Sequence, residues 1–270
     1  MAWVIAFWAG SGVAQAGPWT PARGHGQVIV GWTFYETHDE FTKGRDRVPF
    51  EWAGRFRKVE VNPYFETGLT DRVALVGSLF ASQQDFTNSW GQLDNAGLGD
   101  TELGLRYRLT GPRALTVMAV QGSVKVPTGR TSGGIALTNG QTDVQGTFSI
   151  GGSIGRGERP AFWSVDAGYR YRARSPADEV RVDAALGAYV HRRVQLLAQA
   201  STITGLRNEG SHGPAFNPTL TPDYDLYRVT GSAIVRVASH LKAQAGGFVH
   251  AWGRNTGAGA GALASISVEY

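Results

Sequence analysis

Residues 97 to 109 read GLGDTELGLRYRL. In an extended strand successive side chains point to opposite faces. Thr101, Leu103, Leu105, Tyr107 and Leu109 therefore share one face, and Asp100, Glu102, Arg106 and Arg108 share the other. A soluble sheet alternates in the same way, but it turns its apolar face to a core. No stretch of this chain has the helical period that could cover a dozen such faces. The alternative is a closed barrel whose apolar face meets lipid and whose charged face lines a wet interior.

Working outward, the same alternation recurs. Val28, Val30, Trp32 and Phe34 share a face of a segment at about 27–37; Val59, Val61 and Phe65 oppose Lys58, Glu60, Asn62 and Glu66 at about 56–67. The segment 72–82 is nearly all apolar and its inward face stays open. Segments follow at 115–126, which carries Lys125 on its polar side, and at 142–152, where Val144, Phe148 and Ile150 oppose Asp143 and Gln145. From 163 to 172, Trp163, Val165, Ala167, Tyr169 and Tyr171 oppose Asp166, Arg170 and Arg172; at 180–191 Val182, Ala184 and Leu186 oppose Arg181 and Asp183. The last four lie at about 194–204, 224–237 (Tyr227 and Val229 out, Arg228 in), 241–252 and 259–270. Together these predict about twelve strands of the length a tilted strand needs to cross a bilayer. The connections sort by side: polar stretches at 37–49, 83–97, 127–141 and 205–222 alternate with brief turns at Gly68, Gly111, His191 and Ser239. Outer-membrane barrels have such an asymmetry, with short periplasmic turns and longer extracellular loops. Aromatic residues near strand ends, Trp32, Phe34, Tyr35, Tyr64, Phe65, Phe162, Trp163, Phe248 and Trp252, are expected to form interfacial girdles.

Composition agrees with an all-β transmembrane antiparallel up-and-down barrel. A hydrophobic content of 42% with mean hydropathy of −0.19 looks soluble, but strands that alternate throughout average to such values. The absence of cysteine removes disulfides and thiol chemistry. A net charge of +4 comes from Lys and Arg dispersed singly along strands rather than from a basic run, so nucleic acid is not an expected partner. Residues 1–16, apolar from Trp3 to Ala9 and closing on Ala14-Gln15-Ala16, resemble a secretory signal. The expected organisation is a signal at 1–16 and one barrel domain at 17–270, monomeric, in the bacterial outer membrane among its lipids and lipopolysaccharide.

GLGDTELGLRYRL, with VKVPTG (Val124 to Gly129) one hairpin later, resembles the twelve-stranded outer-membrane proteins identified as transporters of the phenol-degradation meta-cleavage pathway. The GLTDRVAL turn from Gly68, the polar stretch near Asp143 and the aromatic terminus Tyr270 fall where that family has them. The resemblance implies passive movement of small hydrophobic or aromatic compounds across the outer membrane, and it carries no catalytic residues.

The candidate lumen residues are Asp100, Glu102, Arg106, Arg108, Lys125, Asp143, Asp166, Arg170, Arg172, Arg181, Asp183 and Arg228. Two readings stand side by side. The charges form a constriction that selects solutes, or they form an ion-pair network that fills and stiffens the barrel, because unpaired charge in a narrow lumen is costly. Inward-folded loops or an N-terminal plug could close a bore of this size, leaving a structural or partner-binding barrel. An enzyme is the weaker reading: Ser211-His212 lies in a loop, His191 sits at a turn, and His250 has no sequence-near serine or aspartate on its face. No cofactor is expected. His38, Asp39 and Glu40 could hold a cation, yet mixed-charge loops are commonly just solvated. Gly151-Gly152 and Gly97-Leu98-Gly99 precede no helix and are not phosphate loops.

Overall fold

Twelve long strands pair each with the next of their number, antiparallel, until the last returns to the first. In the computed structural model, which describes residues 17–111, 114–129, 132–138, 140–155, 161–174, 176–208 and 220–270, with side chains from 223 in the last stretch, the ring is closed by ten residue pairs between β1 (Gly26–Thr37) and β14 (Ala260–Glu269). Between them run β4 (Arg55–Gly68), β5 (Val73–Asn88), β6 (Gly91–Arg108), β7 (Thr116–Val126), β8 (Asp143–Ile154), β9 (Ala161–Arg172), β10 (Glu179–His191), β11 (Val194–Gly205), β12 (Leu220–Arg236) and β13 (Leu241–Gly257). Closure at twelve strands leaves no edge with unpaired backbone groups, the condition for crossing lipid with strands. Two short strands, β2 (Asp39–Phe41) and β3 (Arg47–Pro49), form a ribbon that pairs with the end of β13.

The barrel is the inverse of a soluble protein. Its buried residues are largely polar, and its exposed ones include Leu103, Leu105, Tyr107, Val144, Phe148, Leu186 and Val229. Leu105 is 53% exposed while its neighbour Arg106 is 2% exposed. The apolar segment 72–82 also resolves: Ala74, Val76 and Ser78 are buried inward, and Leu79 is outward and exposed.

Several expectations are corrected. Residues 83–97 are not a loop. β5 and β6 continue as a hairpin through Asp85, Phe86 and Leu93 and turn only at Ser89 and Trp90. Cross-strand hydrogen bonds satisfy this backbone as well in water as in lipid, so polar content does not end a strand. Within it Leu79 pairs with Thr101 and Ala81 with Leu98, a bulge on β6 at Gly99 and Asp100 that puts both residues on the lumen wall. The connections at 173–178 and 258–259 are also short, so loop length sorts by side less cleanly than expected. β12 begins at Leu220 and β13 runs on to Gly257. Tyr35, Tyr64, Phe162 and Phe248 are not girdle residues; all four are buried on the inner face, because each falls on the opposite parity from its outward neighbours. The signal segment 1–16 and Ser211-His212 lie outside the described residues.

Both ends of the bore are filled. At the end carrying the termini, the periplasmic end of such barrels by its short turns, Pro18, Trp19 and Thr20 are buried inside. Trp19 packs edge-on against Phe162, with ring centroids 6.1 Å apart, beside Ala185 and Leu197. Lumen glycines make the room: a Cβ on Gly151 would meet the Trp19 ring at 3.0 Å and Pro18 at 3.1 Å. At the other end Phe50, before the 3-10 turn Glu51–Ala53, and Ile135, from the β7–β8 loop, meet Tyr35, Phe56 and Phe248 in an apolar cluster.

Candidate functional site

The wall charges sort into layers along the bore. Nearest the termini, Arg106 of β6 reaches across to Glu66 of β4, with Nη1 to Oε2 at 3.1 Å. The Tyr64 hydroxyl donates to Glu66 Oε2 at 2.9 Å and Gln27 Nε2 donates to Oε1 at 2.8 Å. Arg106 also donates to Gln121 Oε1 at 3.1 Å and to the carbonyl of Trp19 at 3.0 Å. A buried ion pair is tolerated only when its remaining donors and acceptors are met in this way. The layer braces the wall and anchors the N-terminal segment.

Further along, a ribbon of alternating charge runs across neighbouring strands. Lys125 Nζ lies 2.5 Å from Asp100 and 3.2 Å from Asp143. Asp143 lies 3.7 Å from Arg172, whose Nη1 is 2.7 Å from Glu179, which in turn is 2.6 Å from Arg181. The strand register produces this ladder: Glu102 pairs with Lys125, Lys125 with Asp143 and Asp143 with Arg172. Arg170 grips both oxygens of Glu102 at 3.1 and 3.0 Å and donates to Gln145 at 2.7 Å. Thr138 of the β7–β8 loop donates to Asp100, tying that loop to the ladder. At the rim the Asp178 carboxylate accepts from the amide of Arg172 at 2.7 Å and from Tyr169 and Asn208. Burial alone would raise its pKa, but these donors together hold it below the ordinary value.

A third row crosses five strands in register: Ser149, Asp166, Asp183, Ser201 and Arg228, with His250 opposite Arg228. Asp166 and Asp183 face one another without an ion-pair partner among the described residues. Eleven of the twelve sequence-derived candidates thus sit on the inner wall. Arg108 keeps the same inward phase at the terminal rim, where its guanidinium donates to the carbonyl of Asp71 at 2.8 Å.

Between the layers and the far-end cluster lies a cavity of about 290 Å³. Its lining mixes charge from Lys58, Glu60, Glu102, Arg170 and Arg228 with apolar surface from Tyr35, Phe56, Leu137, Ile203, Leu226 and Phe248. Arg228 lies over the Phe248 ring, 3.5 Å from its centroid. Tyr35 stacks on His250 at 4.6 Å and on Phe248 at 6.2 Å. His250 Nδ1 pairs with the carbonyl of Gly257 at 2.9 Å. His38, Asp39 and Glu40 do not converge: Asp39 pairs with Arg47 at 2.6 Å and His38 with Glu36 at 3.4 Å. No cluster of metal-ligating side chains occurs among the described residues.

The sequence reading placed Glu66 inward without seeing its role and left Glu179 just before the strand it opens. It also sent Tyr35 and Phe248 to the lipid face. Parity was the available signal for these two, since Tyr35 is one step out of phase with Trp32 and Phe34.

No family model matches the chain, and no curated protein matches it. Solved structures do. The COG4313 outer membrane channel from Pseudomonas putida F1 superposes with a TM-score of 0.70 at 12% identity, covering 96% of this chain and 100% of that one. The NanC porin gives a TM-score of 0.56 at 7% identity over 90% of this chain and 100% of its own. The β domain of the Bordetella autotransporter BrkA gives 0.50 at 10% identity over 91% and 99%. At such identities the likeness establishes the fold, that of an outer-membrane β-barrel.

Proposed function

We propose that the barrel is an outer-membrane channel for passive uptake of small hydrophobic or aromatic compounds, working as a monomer among outer-membrane lipids and lipopolysaccharide. The observation that carries the reading is the cavity inside a closed, lipid-facing wall, lined by both ring side chains and ordered charges. Its volume of about 290 Å³ is at the small end of ligand cavities, which start near 300 Å³. The two seals are loops and a terminal segment held against the wall by noncovalent contacts, with no disulfide in the chain, so each can be displaced without breaking a strand pair. Among the described residues His250 is engaged by a ring stack and a backbone carbonyl rather than by a serine or carboxylate.

The same seals favour one alternative, a structural barrel whose lumen stays shut. Planar-bilayer recordings separate the two. The channel reading expects small, discrete conductance steps from the purified protein, and uptake of single-ring aromatic solutes into proteoliposomes above that of protein-free vesicles. Silence in both assays would leave the shut barrel.

A further inference from the structure

Five cations line the cavity: Lys58, Lys125, Arg170, Arg181 and Arg228. Four of them have a carboxylate close by. Lys58 lies 2.5 Å from Glu60, Lys125 2.5 Å from Asp100, Arg170 3.0 Å from Glu102 and Arg181 2.6 Å from Glu179. Arg228 is different. Among the described residues its side chain has no carboxylate within ion-pair distance, and its Nε is buried without a hydrogen-bond partner. It is also 7% exposed. Glu60 and Asp183 act on it only through space, neither lying within ion-pair distance: Glu60 is held by Lys58, and Asp183 stands in register with Ser201, one strand removed from Arg228.

A guanidinium carries five N–H donors in a fixed plane. The Phe248 ring lies 3.5 Å from the guanidinium carbon, a cation–π contact that offers no lone pair to the N–H donors. Leaving a buried charge in this state costs free energy that a complementary anion would recover. The surroundings say which kind of anion. Tyr35 and Phe248 lie nearly parallel, with an interplanar angle of 10°, and Tyr35 and His250 stack at 27°. Phe56 closes the side, 6.2 Å from Tyr35. Flat side chains thus stand beside the edge of a guanidinium whose preferred partner, a carboxylate, is itself planar and bound by two parallel hydrogen bonds. A halide or phosphate would use the charge and leave the rings idle. A neutral aromatic would use the rings and leave the donors unmet.

We infer that Arg228 is the anion-binding residue of the lumen and that the cavity takes single-ring aromatic monocarboxylates, the carboxylate on Arg228 and the ring against Tyr35 and Phe248. The inference rests on the channel reading and narrows its substrate class. The test uses the full chain folded in detergent and in planar bilayers at pH 8. Calorimetry compares benzoate with benzamide, which has the ring without the charge, and with acetate, which has the charge without the ring. Benzoate should bind about tenfold or more tighter than either, the size expected of a charged hydrogen-bonded pair. Arg228→Met should erase the preference over benzamide, Arg228→Lys should recover part of it, and Phe248→Leu should erode the preference over acetate. Heat-modifiable migration on gels identifies folded variants, and should Arg228→Met not fold, the lysine variant and the wild-type ligand series carry the test. Equal binding of benzoate and benzamide by the wild type would overturn the inference. So would equal binding of benzoate, chloride and phosphate, which would make the site a general anion site. Sodium chloride conductance and proteoliposome uptake are recorded beside the calorimetry: current or uptake without a benzoate preference sinks this inference alone, whereas silence in both sinks the channel reading.

Discussion

Arg106 and Leu105 are adjacent in sequence and live in opposite media, one 2% and the other 53% exposed. Alternation made both assignments legible from residues 97 to 109 alone. It could not show that the counter-charge of Arg106 is Glu66, forty residues earlier and two strands away. Removing one partner of a buried pair leaves an uncompensated charge, at a cost of about 3–5 kcal/mol. Arg106→Gln should therefore lower the urea midpoint for unfolding from vesicles, and Arg106→Gln combined with Glu66→Gln should recover part of the loss. A double variant no more stable than the single one would mean the pair does not act as a unit. On the outer face, Leu103→Arg near the middle of the wall should cost about 2–4 kcal/mol of bilayer stability, measured by the same titration. An unchanged midpoint would refute the assignment of that face to lipid.

At the level of elements, strand identity and order followed from period and turn signals, while lengths did not. β5 and β6 extend as a polar hairpin because strand pairing satisfies their backbone in any medium. The bulge at Gly99 and Asp100 changes the parity of the stretch that first announced the fold, and no local pattern marks it. The β7–β8 loop was expected as a polar connection, yet it turns Ile135 inward against Phe50, Phe56 and Phe248 and is tied by Thr138 to Asp100 and by its Ile135 carbonyl to Asn95 Nδ2 at 2.7 Å. Truncating a buried isoleucine costs about 2–5 kcal/mol of local packing. Ile135→Ala should accordingly make the loop more sensitive to externally added protease in intact proteoliposomes and raise the mean conductance. Unaltered cleavage and current would show that the loop does not seal the mouth.

For the molecule as a whole, the N-terminal segment closes the bore from within: Trp19 is wedged against Phe162 and its carbonyl is held by Arg106. Trp19→Ala should loosen that end and raise single-channel conductance several-fold while leaving the barrel folded, as read by bilayer recording and heat-modifiable migration. Identical conductance would place the resistance elsewhere in the lumen. The sequence by itself determined the class of fold, the number of strands that cross and the side of the wall on which the inward charges fall. These depend on the two-residue period of a strand and on the need of every lipid-exposed backbone group for a partner. Only the tertiary structure decided how those charges pair, that Trp19 and Ile135 fill the two ends, and that Arg228 stands beside stacked rings with no ion-pair partner among the described residues. Such relations depend on strand register and closure, which bring together residues as far apart as Tyr35 and Phe248; a period of two carries no information about the partner across the bore.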